Sequence, residues 1–273
     1  MESTTRHILI VDSRDRDFSK HSSPTSYRID LPVAYRRVTM ARLTSCEIPC
    51  TFFIFSAALG NVTLKVSLFD DVGLTSVTRA VVVPDGNYGT LTISAALTAA
   101  LNKAFLSEEA TFDVTFEPAT LKLTFKCIQG RLLEVDTTSE ASHAPTGWGL
   151  GYHLGFRKGE VFRGVSVTCP SVMTLNPYTY ILLDIEGLGS LDECSINEPG
   201  NGGTVFAKIP LTNDSFDVIM AHGTNACISG RRPFKPALSR VDRLSISFRF
   251  HDGLPVDFNN VDHSFTLEFH CQN

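Results

Sequence analysis

The sequence predicts a mainly β protein, built as an antiparallel sandwich or barrel, with a small α+β lobe inserted into it. Three observations support this prediction. Apolar and polar residues alternate with a period of two in many segments, turn residues separate these segments, and only one segment has helical spacing. Many short strands separated by turns are typical of a sandwich or a barrel.

The clearest alternation lies near the C-terminal end, in "LSISFRF" (244–250) and "SFTLEFHC" (264–271). Every second residue in both segments is apolar, so each predicts a strand with one buried face. We expect these two strands to pair antiparallel across the turn-rich segment 251–263. In chain order, further strands are predicted at 6–11, 26–31, 38–48, 62–69, 112–117, 121–127, 162–169, 178–187, 204–211 and 216–222.

One amphipathic helix is predicted near 91–106. Leu91, Ala95, Leu97, Leu101 and Phe105 recur there at roughly helical spacing, after the turn "PDGNYG". The helix and the hairpin that follows it predict a domain division. Residues 1–58 and 159–273 would form the β-sandwich, and residues 59–158 would form the inserted α+β lobe.

The composition of the chain disfavours several classes of function. The chain of 273 residues has a formal net charge of −5 and contains only short pairs of basic residues, so we expect no nucleic-acid partner. The seven cysteines include no C-x-x-C pair, which disfavours zinc knuckles and redox motifs and predicts free, buried thiols. The first residues have no apolar core of signal-peptide length, and we expect a reducing compartment.

The stretch 48–64 contains no charged residue, at the short limit for a bilayer span. Pro49 and Gly60 would break a spanning helix, so we expect strands and a loop there, without membrane contact. Phe52, Phe53 and Phe55 are candidates for a protein contact, divided between that contact and the core.

The sequence contains no G-x-S-x-G, no H-E-x-x-H and no EF-hand loop. The glycines of "GWGLGYHLGF" lack the context of a phosphate-binding loop and predict a tight turn. The segment 251–263 offers a candidate metal set, but no second strand is spaced to complete it, so a polar loop is the favoured interpretation. We therefore expect no enzyme, no metal and no cofactor. The candidate metal set is His251, Asp252, Asp257, Asp262 and His263.

The segment "VDSRDRD" places two arginines between three aspartates directly after the first predicted strand. A solvated turn, a cation site and a structured charge network are the alternatives. Arg14 and Arg16 would repel a cation, while a guanidinium group can hold a carboxylate with two hydrogen bonds. If the network forms, at least one of these arginines should be more than half buried and should contact an aspartate or a backbone carbonyl.

The N-terminal segments "ILIVDSRDRDFSKHSSPTSYRIDLP" and "VTMARLTSCEIPCTFFIF" resemble the opening of minor capsid proteins of large icosahedral double-stranded DNA viruses. Later segments are similar to these proteins in the same order. They are "VPDGNYGTLTISAALTAALNKAF", "LGYHLGF", "FAKIPL", "LSRVDRLSISFRFHDG" and "VDHSFTLEF".

The resemblance implies a jelly-roll-like fold and a structural role in a virion capsid, of cement or penton type. It implies the major capsid protein and other minor capsid proteins as partners, with self-association as a further option, and assembly in the host-cell cytoplasm. The matched motif residues, Asp12, Ser13, Arg14, Asp15 and Arg16, would be structural or interface residues. From the residues alone, a carbohydrate-binding or glycan-hydrolysing β-sandwich remains the alternative, although Trp148 is the only tryptophan for a glycan platform.

Overall fold

The computed structural model describes residues 3–70, 73–138, 149–189, 205–212, 217–222 and 232–273. The chain divides into two compact units, Met1–Phe52 with Tyr178–Asn273 (the first unit) and Phe53–Pro177 (the second unit). The unit boundaries thus lie at 52/53 and 177/178, whereas the sequence predicted domain boundaries at 58/59 and 158/159.

The elements follow one another in chain order, with two short 3-10 helices at Ser13–Asp15 and Leu106–Glu108. The strands are β1 (Thr4–Asp12), β2 (Ser26–Pro49), β3 (Thr63–Phe69), β4 (Ser76–Val82), β5 (Phe112–Glu117), β6 (Lys122–Cys127), β7 (Leu133–Asp136), β8 (Val161–Gly164), β9 (Ser166–Thr168), β10 (Tyr180–Ile185), β11 (Ala207–Pro210), β12 (Val218–His222), β13 (Arg232–Arg249) and β14 (Ser264–Gln272). The helices are α1 (Thr90–Ala104) and α2 (Leu150–Leu154).

The first unit is an antiparallel sheet in the order β1-β14-β2-β13-β10-β11, and β12 also pairs with β2. Strand β2 has 24 residues and changes partners along its length. It pairs with β13 from Ser26 to Ala41, with β14 from Val38 to Glu47, and with β12 from Ser45 to Pro49. Register shifts interrupt the ladders with β13 and β14, and such irregularities bend a strand. The sheet curls into a half-barrel, so the predicted mainly β, jelly-roll-like fold class is confirmed.

The alternation predicted near the C-terminal end is confirmed. Leu244, Ile246, Phe248 and Phe250 are all buried, and so are Phe265, Leu267 and Phe269 of β14. These side chains form much of the core of the first unit.

The predicted pairing of these two strands with each other is wrong, because β2 lies between β13 and β14. A tight hairpin is favoured by a loop of two to five residues. The connection here is longer, and its apolar side chains Val256 and Phe258 are fully buried. The connection therefore packs into the core while the chain crosses to the other edge of β2.

The second unit contains one sheet in the order β4-β3-β7-β8 and another in the order β5-β6-β9. Helix α1 begins after Gly89, whose backbone N–H donates to the Thr92 hydroxyl at 2.8 Å. Its buried face consists of Ile93, Leu97 and Leu101, followed by Phe105 just beyond its end. The predicted apolar face also included Leu91, which is 76% exposed, and Ala95, which is exposed too. The buried face thus keeps the predicted Leu97, Leu101 and Phe105, and Ile93, four residues before Leu97, takes the place of Leu91 and Ala95.

Helix α1 also covers the free edge of β5. The Asn102 side chain accepts a hydrogen bond from the Phe112 N–H at 2.7 Å and donates to the Phe112 carbonyl at 3.3 Å. The Thr98 hydroxyl accepts from the Val114 N–H at 3.0 Å. These side chains satisfy backbone groups that an uncovered edge strand would expose.

In the uncharged stretch 48–64, β2 ends at Pro49, a hydrogen-bonded turn follows at 56–60, and β3 begins at Thr63. Among the residues that the structure describes, no helix is both long enough and apolar enough to span a bilayer.

The contacts of Asn102 give a first prediction. Replacing Asn102→Ala removes both hydrogen bonds to Phe112 and leaves partly buried backbone groups without partners, at a cost of about 1 to 3 kcal/mol. Urea unfolding followed by fluorescence and circular dichroism would measure this loss. The control is Lys103→Ala at the neighbouring exposed position, which should leave the transition unchanged. Equal effects of the two substitutions would contradict this role of Asn102.

Candidate functional site

The segment "VDSRDRD" forms the end of β1 and the 3-10 helix Ser13–Asp15. Asp12 caps this helix by accepting a hydrogen bond from the Arg14 N–H at 2.9 Å. Arg14 also donates to both Asp12 oxygens, from Nε at 2.9 Å and from Nη2 at 2.5 Å. The hydrogen bonds from the Arg14 side chain lower the pKa of Asp12. The Arg14 side chain itself is 72% exposed, so this pair lies at the surface.

Ser13 is fully buried and ties this segment to the residues just before β14. Its N–H donates to the His263 carbonyl at 2.9 Å, and its hydroxyl accepts from the His263 N–H at 3.0 Å. The hydroxyl donates to Asp262 Oδ1 at 2.7 Å. Because Asp12 pairs with Ser264 in the β1–β14 ladder, these bonds extend the connection between the two strands by one further residue pair.

Arg16 is buried, with only 5% of its surface exposed. Its Nη1 donates to the Ser13 carbonyl at 2.7 Å and to the Asp262 carboxylate. Its Nε donates to the His21 carbonyl at 3.1 Å, and the guanidinium group lies 4.2 Å from the centre of the Phe18 ring. The predicted burial of one arginine is thus confirmed for Arg16. We call Ser13, Arg16, Asp262 and His263 the clamp.

His263 completes the clamp on its buried side. Its Nε2 lies 3.0 Å from the Pro24 carbonyl, so this nitrogen carries a proton and donates it. The ring packs against Phe248 and Phe258, with centroid distances of 4.6 and 5.1 Å. Burial lowers the pKa of His263 to about 4, so the ring is neutral near pH 7.

The remaining acids of the motif lie at the surface. Asp15 is exposed, and Asp17 forms an ion pair with Lys20 at 2.8 Å. The hydrogen bond from Lys20 is the largest cause that lowers the pKa of Asp17 to about 2. The carboxylate held by the buried arginine is therefore Asp262, which is distant in sequence. Asp262 and His263 belonged to the candidate metal set of the loop 251–263, and their pairing with Arg16 and Ser13 was not predicted.

The clamp contains a serine, a histidine and an aspartate, but it is not arranged as a catalytic triad. In a triad, a histidine nitrogen takes the serine proton. Here His263 Nε2 faces the Pro24 carbonyl, and the Ser13 hydroxyl donates to Asp262 inside the protein. The arrangement can hold strands together, and it presents no accessible nucleophile.

The candidate metal set is not assembled either. Asp252 accepts from the Leu254 N–H at 3.1 Å, and Asp257 accepts from the Asn259 N–H at 2.9 Å, so each carboxylate stabilises its own turn. Within the described ranges, no group of three or more histidine, cysteine or acidic residues is placed to hold a metal ion.

The three phenylalanines proposed for a protein contact differ in accessibility. Phe52 and Phe55 are buried, and Phe53 is partly exposed. Phe52 packs against Phe250 in the core of the first unit, with ring centroids 5.6 Å apart. Phe55 packs against Tyr88 and His153 in the second unit. Core packing therefore leaves Phe53 as the candidate with an accessible side chain.

No protein-family model and no characterised protein sequence matches the chain. Among solved structures, the fold is similar to the crystal structure of the mavirus penton protein. The TM-score is 0.54 at 11% sequence identity, and the match covers 98% of this chain and 99% of that chain. A chain of the cryo-EM structure of the Sputnik virophage matches with a TM-score of 0.45 at 11% identity, over 98% of each chain.

The clamp predicts that the two arginines of the motif differ in their effect on stability. Arg16→Ala leaves the partly buried Asp262 carboxylate without its ion pair and should lower the free energy of unfolding by about 2 to 5 kcal/mol. Arg14→Ala removes an arginine at the surface, where an ion pair contributes little, and is the matched control. Urea unfolding of the two variants measures the difference. If both substitutions have similar effects on the free energy of unfolding, the motif is better described as a solvated turn.

His263 predicts a dependence of stability on pH. Its pKa is about 4 in the folded chain against 6.5 for an ordinary histidine, so the unfolded chain binds the proton more tightly between these values. Stability is therefore complete above pH 6.5 and falls as the pH drops toward 4, by up to about 3 kcal/mol from this residue.

The measurement is the unfolding midpoint between pH 7 and pH 4 for the original chain and for His263→Gln. The variant should lose less stability over this range. His153, with its pKa also lowered to about 4 by burial, is unchanged in both proteins, so its contribution cancels. Parallel pH profiles would show that His263 is not the group responsible.

Proposed function

We propose that this chain is a structural virion protein: a minor capsid component, of cement or penton type, that binds other capsid proteins in an icosahedral shell. The observation that carries the proposal is the fold. The similarity to the mavirus penton protein extends over 98% of this chain and 99% of that one, so it includes the inserted lobe as well as the sandwich. The identity of 11% shows that the likeness is one of fold, and the role is our inference from it.

The candidate site supports a structural role. The polar groups of the clamp join strands β1 and β14 and the loops beside them. A shell subunit needs a rigid surface, because ordering a flexible surface on binding costs free energy. The exposed parts of the motif, Arg14 and Asp15, lie beside these fixed residues and are our candidates for contacts with a neighbour.

The proposed partners are the major capsid protein and other minor capsid proteins, with self-association as a further option. The proposed location is the virion capsid, with assembly in the host-cell cytoplasm. The alternative of a glycan-binding or glycan-hydrolysing sandwich gains no support from the fold comparison. Trp148, the residue named for a glycan platform, lies outside the described residues.

The direct test is mass spectrometry of gradient-purified virions from the virus that encodes the chain. The chain should co-sediment with the particles, resist protease added to intact virions at its buried sites, and occur in many copies per particle. An abundant non-structural protein of the same virus is the control for contamination. Finding the chain only in infected-cell lysate would reject the capsid role.

A further inference from the structure

One surface of the first unit has a composition that points to a partner. It is the outer face of strands β1, β14, β2 and β12, opposite the buried residues of these strands. The register places Asp12, Ser264, Glu47 and Met220 in one row across this face. Ile10, Thr266 and Ser45 form the next row.

The rims of this face are apolar and its middle is polar. Ile8 and Ile10 of β1 are 50% and 71% exposed, and Val218 and Met220 of β12 are 43% and 69% exposed. Between them lie small hydroxyl side chains that bond within the face. Ser45 donates to Thr266 at 3.0 Å, and Ser264 donates to Glu47 at 2.7 Å. The large apolar side chains of β1 and β12 therefore flank a shallow groove, whose floor consists of the small side chains of β14 and β2.

At one end of this floor lies a cleft of about 350 Å³. Pro49, Val218 and Val261 supply its apolar lining. Its charged lining consists of three carboxylates, those of Asp12, Glu47 and Asp262, and of one cation, Arg14, so acids are in excess. We call this surface the acidic cleft. An apolar wall with a carboxylate in it complements a long basic side chain, whose alkyl stem packs on apolar surface while its charged head reaches an acid.

The charges of the acidic cleft are unevenly compensated. Asp12 is paired with Arg14, and Asp262 is paired with Arg16. Glu47 accepts a hydrogen bond from the uncharged Ser264, and within the described part of the chain no lysine or arginine pairs with it. Arg14 lines the same cleft but is held by Asp12, so Glu47 is the cleft carboxylate without an ion pair among the described residues.

A second acid on the same face shows the contrast. Glu268 of β14 accepts from Arg6 at 3.1 Å and from His270 at 2.7 Å, and Arg42 lies 3.6 Å away. The Glu268 carboxylate therefore already has basic partners within the chain. Glu47, at the cleft, is the acid on this face that a cation from another protein could pair with.

We propose that the acidic cleft binds a lysine or arginine side chain of a neighbouring protein, with apolar residues on either side of it contacting Ile10 and Met220. The proposal rests on the proposed function, because it assigns to this cleft one contact of the chain with another capsid protein. The exposed apolar rims supply binding energy, and the Glu47 charge selects a basic partner over an acidic one.

The test uses the isolated full chain with methyl-labelled isoleucine and valine, and defined peptides as probes. The first probe is acetyl-Thr-Val-Lys-Val-Thr-amide, and its matched partner has glutamate in place of lysine. We expect the lysine peptide to shift the methyl signals of Ile10, Val218 and Val261 in a saturable way. The glutamate peptide should bind at least about tenfold more weakly, since it places like charges together.

Two variants make the test specific. Glu47→Gln should weaken binding of the lysine peptide by about fivefold or more, because it removes the unpaired charge but keeps the shape. Asp30→Asn, which removes one exposed charge elsewhere on β2, is the control and should leave binding unchanged. The proposal is overturned if the lysine peptide causes no shifts at these methyl groups, if both peptides bind equally, or if Glu47→Gln behaves like Asp30→Asn.

This experiment separates the two proposals. Peptide binding is measured on the isolated chain, whereas the capsid role is decided by the composition of virions. Virions that contain the chain, together with a cleft that does not distinguish the peptides, would reject the cleft proposal alone. A selective cleft on a chain missing from virions would reject the capsid role alone.

Discussion

The ion pair between Arg16 and Asp262 is the interaction on which the arrangement of the first unit most depends. It joins segments that are 246 positions apart in sequence, where strand β1 ends and strand β14 begins. Bringing such distant segments together costs chain entropy, and a slip of one residue would turn the apolar side chains of β1 to the wrong face. The hydrogen bonds between Ser13 and His263, one to the His263 carbonyl and one from the His263 N–H to the Ser13 hydroxyl, set the same register. The polar clamp therefore specifies a register that apolar packing alone leaves less well defined.

The clamp also connects the stability of the first unit with its surface. Arg16 and Ser13 hold Asp262, and Asp262 lines the acidic cleft together with Asp12. Loss of the clamp would thus disturb a surface to which Arg16, being buried, contributes almost no contact area of its own. A substitution at Arg16 and one at Glu47 should be distinguished by their effects: the first acts through folding, and the second acts through binding.

Several features were predictable from the sequence because they depend on local patterns. A period of two identified the buried faces of β13 and β14, and a period near four identified helix α1. The neighbour of each strand and the partner of each charged side chain were harder to predict. Alternation shows which face of a strand is buried but not which strand lies beside it, so the insertion of β2 between β13 and β14 was missed. Likewise, the spacing of "VDSRDRD" predicted that an arginine would hold a carboxylate, but nothing local pointed to Asp262. Its loop, rich in acids and histidines, was interpreted as a polar loop with a candidate metal set, and not as the partner of an arginine.

The most direct measurement of the clamp is a double-mutant cycle between Arg16→Met and Asp262→Asn, using the free energy of unfolding in urea. If the two side chains form the buried pair that sets the β1–β14 register, the losses will not add. The double variant will then be more stable than the sum of the single losses predicts, by about 2 kcal/mol or more. Additive losses, with a coupling energy within about 0.5 kcal/mol of zero, would contradict this account.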